Sequence, residues 1–240
     1  MDKPTVGIVV PIHPHTAILE KRTNLFKQVL LSIRDQKYDN WNAYFICDRV
    51  LEVGKILNSV FGPNDSRIEI IFHEYRGKFN KNNKIRKFVR MVDDGMVPDC
   101  EWVCRLDDDD LFSTEILHYL WGRHFYKGRN IDGIRDAQHL LFDTVGKVFV
   151  QKDVPKTANT CIMKYDVIKN HFHGLHSKFA YVIPTWRWVI MPPDIPIFCR
   201  VLHSKSYTGD MLGKGQLSPP FNTLTEPPVG FISYEGVYKL

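Results

Sequence analysis

Four consecutive aspartates, Asp107-Asp108-Asp109-Asp110, follow the apolar run Trp102, Val103, Cys104 and Leu106, with Arg105 set inside that run. Carboxylates at this density repel one another unless a cation offsets them. Mg²⁺ and Mn²⁺ are hard ions that take oxygen ligands, and they commonly combine one or two carboxylates with the phosphates of a substrate. The run therefore reads as a seat for a divalent cation that bridges a phosphorylated ligand. A solvated acidic turn capping the next helix is the alternative. If the strand ran on through the aspartates, Arg105, Asp107 and Asp109 would face one side and Asp108 and Asp110 the other.

Other cation and phosphate motifs fail on spacing. A calcium loop starting at Asp107 would need an oxygen ligand, a glycine and a glutamate where Leu111, Phe112 and His118 stand. Gly209 to Lys214 is one residue short of a phosphate loop, and no G-x-G-x-x-G follows the first apolar run. Cys100 and Cys104 lack the second close pair of a zinc site. His171-x-His173-x-x-His176 has no supporting carboxylate pattern and reads as a polar loop on the acceptor side.

The elements that must position the aspartates follow from hydrophobic periodicity. Val6 to Val10 is a β-branched run closed by Pro11 and Pro14, as in a strand buried on both faces. Phe26, Val29, Leu30 and Ile33 predict a helix over about 18–35, and Ala43 to Cys47 a second buried strand ending at Asp48. Ile68, Ile70 and Phe72 alternate as a third strand. Ile85, Phe88, Val89 and Val92 form a helical stripe opposite Lys84, Arg86, Lys87 and Arg90. Glu101 to Leu106 is the fourth strand, after which Ser113 is placed to cap a helix reaching about Phe125. Strands alternating with helices imply an α/β fold, with a mostly parallel central sheet, helices on both faces and a mixed C-terminal extension. Short strands are expected at Ile131 to Ile134, Val145 to Val150, Thr160 to Met163 and Ile197 to Leu202. Ligands of such sheets bind at the carboxyl ends of the strands, which brings Pro11 to His13, Asp48 and Asp107 to Asp110 to one crevice, with Pro11, His13, Asp48, Arg105, Asp107 and Asp108 as candidate ligand-binding residues.

A 240-residue chain that is 44% hydrophobic can bury one substantial core. We expect a single catalytic domain over 1–210, divided into a ligand-binding half (1–112) and an acceptor half (113–210), with an extended, Gly- and Pro-rich tail over 211–240. A net charge of +5 suits phosphate-bearing ligands. No stretch reaches the ~20 apolar residues of a membrane span, and Met1-Asp2-Lys3-Pro4 lacks a secretory pattern. Five cysteines in mostly apolar runs fit reduced thiols, and these features together predict a cytoplasmic protein.

In combination these motifs resemble the GT-A glycosyltransferases, particularly family-2-like members and the rhamnosyltransferase-like proteins of viruses and bacteria. The resemblance is carried by Val9-Val10-Pro11-Ile12, by Ser32-x-x-x-Gln36-x-Tyr38-x-Asn40-Trp41, by Cys47-Asp48 and by Leu106-Asp107-Asp108-Asp109-Asp110. It implies a nucleotide-sugar donor, by default uridine-linked, a Mn²⁺ or Mg²⁺ cofactor and transfer to an acceptor hydroxyl, most simply on a glycan. Position by position, it implies that Asp48 meets the base, Asp107 the ribose and Asp109 the metal, with His203 completing the metal shell. A plain surface histidine ending a strand is the other reading of His203. The family's Glu-Asp pair is missing from the second half, so the base for an inverting transfer falls to Asp194 in Pro192-Pro193-Asp194-Ile195-Pro196, then to His176. A retaining mechanism stays open. The basic helix face over 84–90, with Trp186, Trp188 and Tyr207, also admits a DNA acceptor carrying hydroxylated bases. A nucleotidyltransferase and a non-catalytic binding module are the remaining alternatives.

Overall fold

The opening β-branched run forms β1 (Val6–Pro11), with every residue buried. Helix α1 (Glu20–Arg34) lays Phe26, Val29, Leu30 and Ile33 in the core on the sheet. It leads to β2 (Trp41–Cys47), α2 (Val50–Phe61), β3 (Ile68–Phe72), α3 (Lys81–Asp93) and β4 (Trp102–Arg105). The four strands are mutually parallel in the order β3-β2-β1-β4, so their carboxyl ends share one edge. The computed structural model describes residues 3–74, 81–125, 130–143, 148–153, 161–171, 187–202 and 222–231.

The later strands join this sheet or build a second one. They are β5 (Asp110–Phe112), β6 (Gly133–Asp136), β7 (Gln138–Asp143), β8 (Val148–Asp153), β9 (Cys161–Lys164), β10 (Trp188–Met191), β11 (Phe198–Leu202) and β12 (Asn222–Leu224). The seven-stranded sheet runs β10-β6-β9-β4-β1-β2-β3. Within it β9 is antiparallel to both β4 and β6, so β6 points the same way as β4 and ends on the same edge. The five-stranded sheet runs β12-β8-β7-β11-β5. Two cores cover the faces of the large sheet. On one face α1, α2 and α4 (Ile116–Arg123) pack, and on the other α3 and α5 (Tyr165–His171). A third core lies on the smaller sheet and takes in Leu25 and Phe231.

Helices α2 and α5 and strands β5, β7, β10 and β12 were not anticipated from sequence. The capping role expected of Ser113 is not observed. Helix α4 starts at Ile116 with Glu115 before it and no side-chain cap. Ser113 is otherwise engaged: its carbonyl accepts from Gln36, and its hydroxyl lies where a side chain on Gly230 would stand. The expected tail is in part a strap. β12 pairs antiparallel with β8, and the carbonyl of Gly230 accepts from both the N–H and the hydroxyl of Thr114. No helix among the described residues is long and apolar enough to cross a membrane.

Candidate active site

Strand β4 ends at Arg105, and the aspartates turn rather than continuing as strand: the N–H of Asp110 bonds the carbonyl of Asp107 at 3.1 Å. The expected alternation therefore holds only in part, since Asp110 joins Asp107 and Asp109. Carboxylate oxygens of Asp107, Asp109 and Asp110 lie within 4.8 Å of one another, and Asp108 is not part of that group. Its Oδ2 accepts the N–H of His13 at 2.8 Å and the hydroxyl of buried Thr16, which fastens the segment between β1 and α1 to the acidic turn. Asp108 is thus a structural anchor, made possible because β1 and β4 are hydrogen-bonded neighbours.

The residues after the turn are fixed by α1. The hydroxyl of Ser32 donates to the carbonyl of Val29 and accepts the N–H of Phe112. Gln36 donates to the carbonyls of Ser32 and Ser113. Tyr38 and Asn40 bond the carbonyls of Pro4 and Lys3 at the foot of β1. The spaced Ser-Gln-Tyr-Asn pattern is thereby explained: it holds the strand that carries Asp110 and the segment that enters β1.

Protein cations surround the acidic turn. Arg105 grips Asp107 through Nε at 3.1 Å and Nη2 at 3.0 Å, and Lys81, at the start of α3, reaches the other oxygen at 2.5 Å. Arg22 lies 3.6 Å from Asp108 and 3.8 Å from Asp109. Arg200 of β11 lies 3.7 Å from Asp110, its partner in the antiparallel β5–β11 register. Burial works against the charge of Asp107, but Arg105 and Lys81 hold its carboxyl well below the usual range. Burial, with the charge of Asp109, raises Asp108. Burial pushes Asp110 up to about 7 even with Arg200 beside it, and Asp109 and Asp107 push the same way. His13 is lowered to about 4 by burial, then by Arg22, and is neutral at physiological pH.

The donor set fits a hard divalent cation: three converging carboxylates, of which Asp109 is partly exposed toward solvent, where a ligand's phosphate can complete the shell. Nearby, Pro11 is buried at the end of β1 and Asp48 is half-buried just past β2. Lys84 is a correction to the expected solvated basic face: its ammonium is buried and donates to the carbonyls of Ile12 at 2.6 Å and Ile46 at 3.0 Å. It ties the ends of β1 and β2 together and is not available to bind a nucleic acid; Arg86 and Arg90 are exposed. Asp194 is exposed on the turn in which Ile195 bonds back to Pro192. His176, His203, Trp186 and Tyr207 lie outside the described residues. Sequence reasoning missed Arg22, Lys81 and Arg200. Their partners are set by helix placement and strand register, which spacing along the chain does not reveal.

No protein-family model matches the chain, and no curated protein matches it in sequence. Solved structures do. S. aureus TarS residues 1–349 superposes with a TM-score of 0.53 at 10% identity, over 82% of this chain and 60% of that one. A longer S. aureus TarS structure gives 0.53 at 14% identity, over 82% and 36%. The mannosyltransferase PcManGT of Pyrobaculum calidifontis, solved with GDP-mannose and Mn²⁺, gives 0.57 at 12% identity, over 90% and 62%. The chain thus spans less than two thirds of each. With its central, mostly parallel sheet flanked by helices, it has the GT-A fold.

Proposed function

We propose that this chain is a metal-dependent glycosyltransferase, moving a sugar from a nucleoside-diphosphate sugar to an acceptor hydroxyl. The observation that carries the reading is the convergence of Asp107, Asp109 and Asp110 at the carboxyl end of β4, the edge where open α/β sheets bind ligands. Asp109 and Asp110, with Asp107, would hold Mn²⁺ or Mg²⁺, which supplies Lewis-acid neutralisation of the departing diphosphate. Arg22, Lys81 and Arg200 add positive charge around the same point. Asp48 and His13 follow the carboxyl ends of β2 and β1, where the nucleoside would lie.

The finer assignments belong to the same proposal. They are a family-2-like relationship, a uridine-linked donor, a glycan acceptor, the division of 1–210 at residue 112, Asp194 or His176 as base, and His203 as a further metal ligand. A cytoplasmic setting is part of it too, supported by five buried cysteines without a disulfide. With Lys84 buried beneath the crevice, the basic helix gives less support to a DNA acceptor than its sequence did.

The test is a donor-hydrolysis and transfer screen over nucleotide-sugars with and without Mn²⁺, run on wild type and Asp109→Asn. Loss of one ligand is expected to lower metal-dependent turnover by about 100-fold or more. Turnover that ignores both the metal and the substitution would end the proposal.

A further inference from the structure

Protein cations already occupy the acidic turn before any metal arrives. Its four aspartates face Arg22, Lys81, Arg105 and Arg200. Arg105 is buried and held by two bonds to one oxygen of Asp107, and Arg200 is held in a strand register. Lys81 differs from both. It enters from the first residue of α3, is partly exposed and meets the second oxygen of Asp107 at 2.5 Å. Its charge acts on each of Asp107, Asp108, Asp109 and Asp110.

We propose that the Lys81 ammonium is a tethered counter-ion that shares the divalent cation's seat and must be drawn off Asp107 when the metal binds. The inference rests on the metal site proposed above and adds a rule of assembly to it. A divalent ion entering alone would leave the turn with surplus positive charge and would have to displace an ammonium from its carboxylate. A nucleoside diphosphate entering with the metal offsets that surplus and gives the displaced ammonium new oxygens to meet. Metal and diphosphate therefore favour each other's binding, and by linkage the effect is reciprocal. The four-carbon stem of lysine suits this exchange, because a compact ammonium can swing between oxygens whereas a forked guanidinium is committed to one planar arrangement.

The experiment is a Mn²⁺ titration by electron paramagnetic resonance, with and without UDP or GDP, on wild type, Lys81→Met and Lys81→Gln. Circular dichroism and thermal melts confirm the fold of each. We expect both variants to bind Mn²⁺ alone roughly tenfold more tightly than wild type, and the nucleotide's enhancement of Mn²⁺ binding to shrink by a similar factor. Folded variants that bind Mn²⁺ alone no better than wild type, while wild type still binds the Mn²⁺–nucleotide pair, would overturn the counter-ion role and leave the metal site standing. No Mn²⁺ binding by wild type under either condition would overturn both.

Discussion

At the scale of single residues, identity and placement part company most clearly at Lys84. Its helical spacing beside Arg86, Lys87 and Arg90 reads as a solvated basic stripe, yet it points into the sheet and serves the carbonyls of Ile12 and Ile46. Burial lowers its affinity for a proton, while Asp48 and Cys47 act in the opposite direction. Lys84→Met removes the donor for both carbonyls, and we expect a stability loss of about 2 kcal/mol in denaturant unfolding. The salt dependence of any nucleic-acid binding should be untouched. A variant as stable as wild type would show that water replaces the ammonium there. The four aspartates were readable as a cation seat because charge density is a property of composition. Which of them converge was not, because that depends on a turn closing at Asp110.

At the scale of elements, the first half was legible. Strands buried on both faces are continuous apolar runs, and α1 and α3 carry regular stripes. The second half was legible in part: the strands expected there overlap β6, β8, β9 and β11, whereas β7 mixes Gln138 and His139 with apolar residues, and short strands such as β10 and β12 offer too few residues for a period to emerge. Helix α2 was missed although Val53 and Leu57 mark its buried face. The strap formed by β12 and Gly230 could not be read either, since a glycine-rich tail gives no sign of where it docks. Gly230 has φ of 90°, and a Cβ there would stand 2.1 Å from the Ser113 hydroxyl. Gly230→Ala should therefore cost about 1–3 kcal/mol, by backbone strain and the lost contact. Gly122→Ala in α4, where an added Cβ meets nothing within 4 Å, should leave stability unchanged or raise it by up to ~1 kcal/mol. Equal melting temperatures for the two variants would contradict this account of the strap.

At the scale of the whole molecule, the two sheets are joined at Asp136. It ends β6 of the large sheet and accepts the backbone N–H groups of Ile197 at 2.7 Å and Phe198 at 3.3 Å, where β11 of the small sheet begins. Burial pushes this carboxyl up to about 8, against the pull of those two N–H groups. A carboxyl raised in the folded state holds a proton that the unfolded chain has lost. Between about pH 4 and pH 8, stability therefore falls as pH rises, by at most about 1.4 kcal/mol per pH unit for this one group. Thermal melts across that range should show a flatter slope for Asp136→Asn than for wild type. Parallel slopes would mean that the joint is ionised throughout.

The bond between Thr114 and Gly230 joins residues 116 apart in the chain. Seen in the order of synthesis, the strand bearing Asp110 is made first, yet the Thr114 amide just beyond it gains its native acceptor only when Gly230 has been added. Closing so long a loop draws on conformational entropy that local helices and hairpins do not have to supply. Completion of the neighbourhood around the acidic turn is thus a late event in assembly, and the nascent chain carries its aspartates from the addition of residue 110 until residue 230 is added and that latch can close.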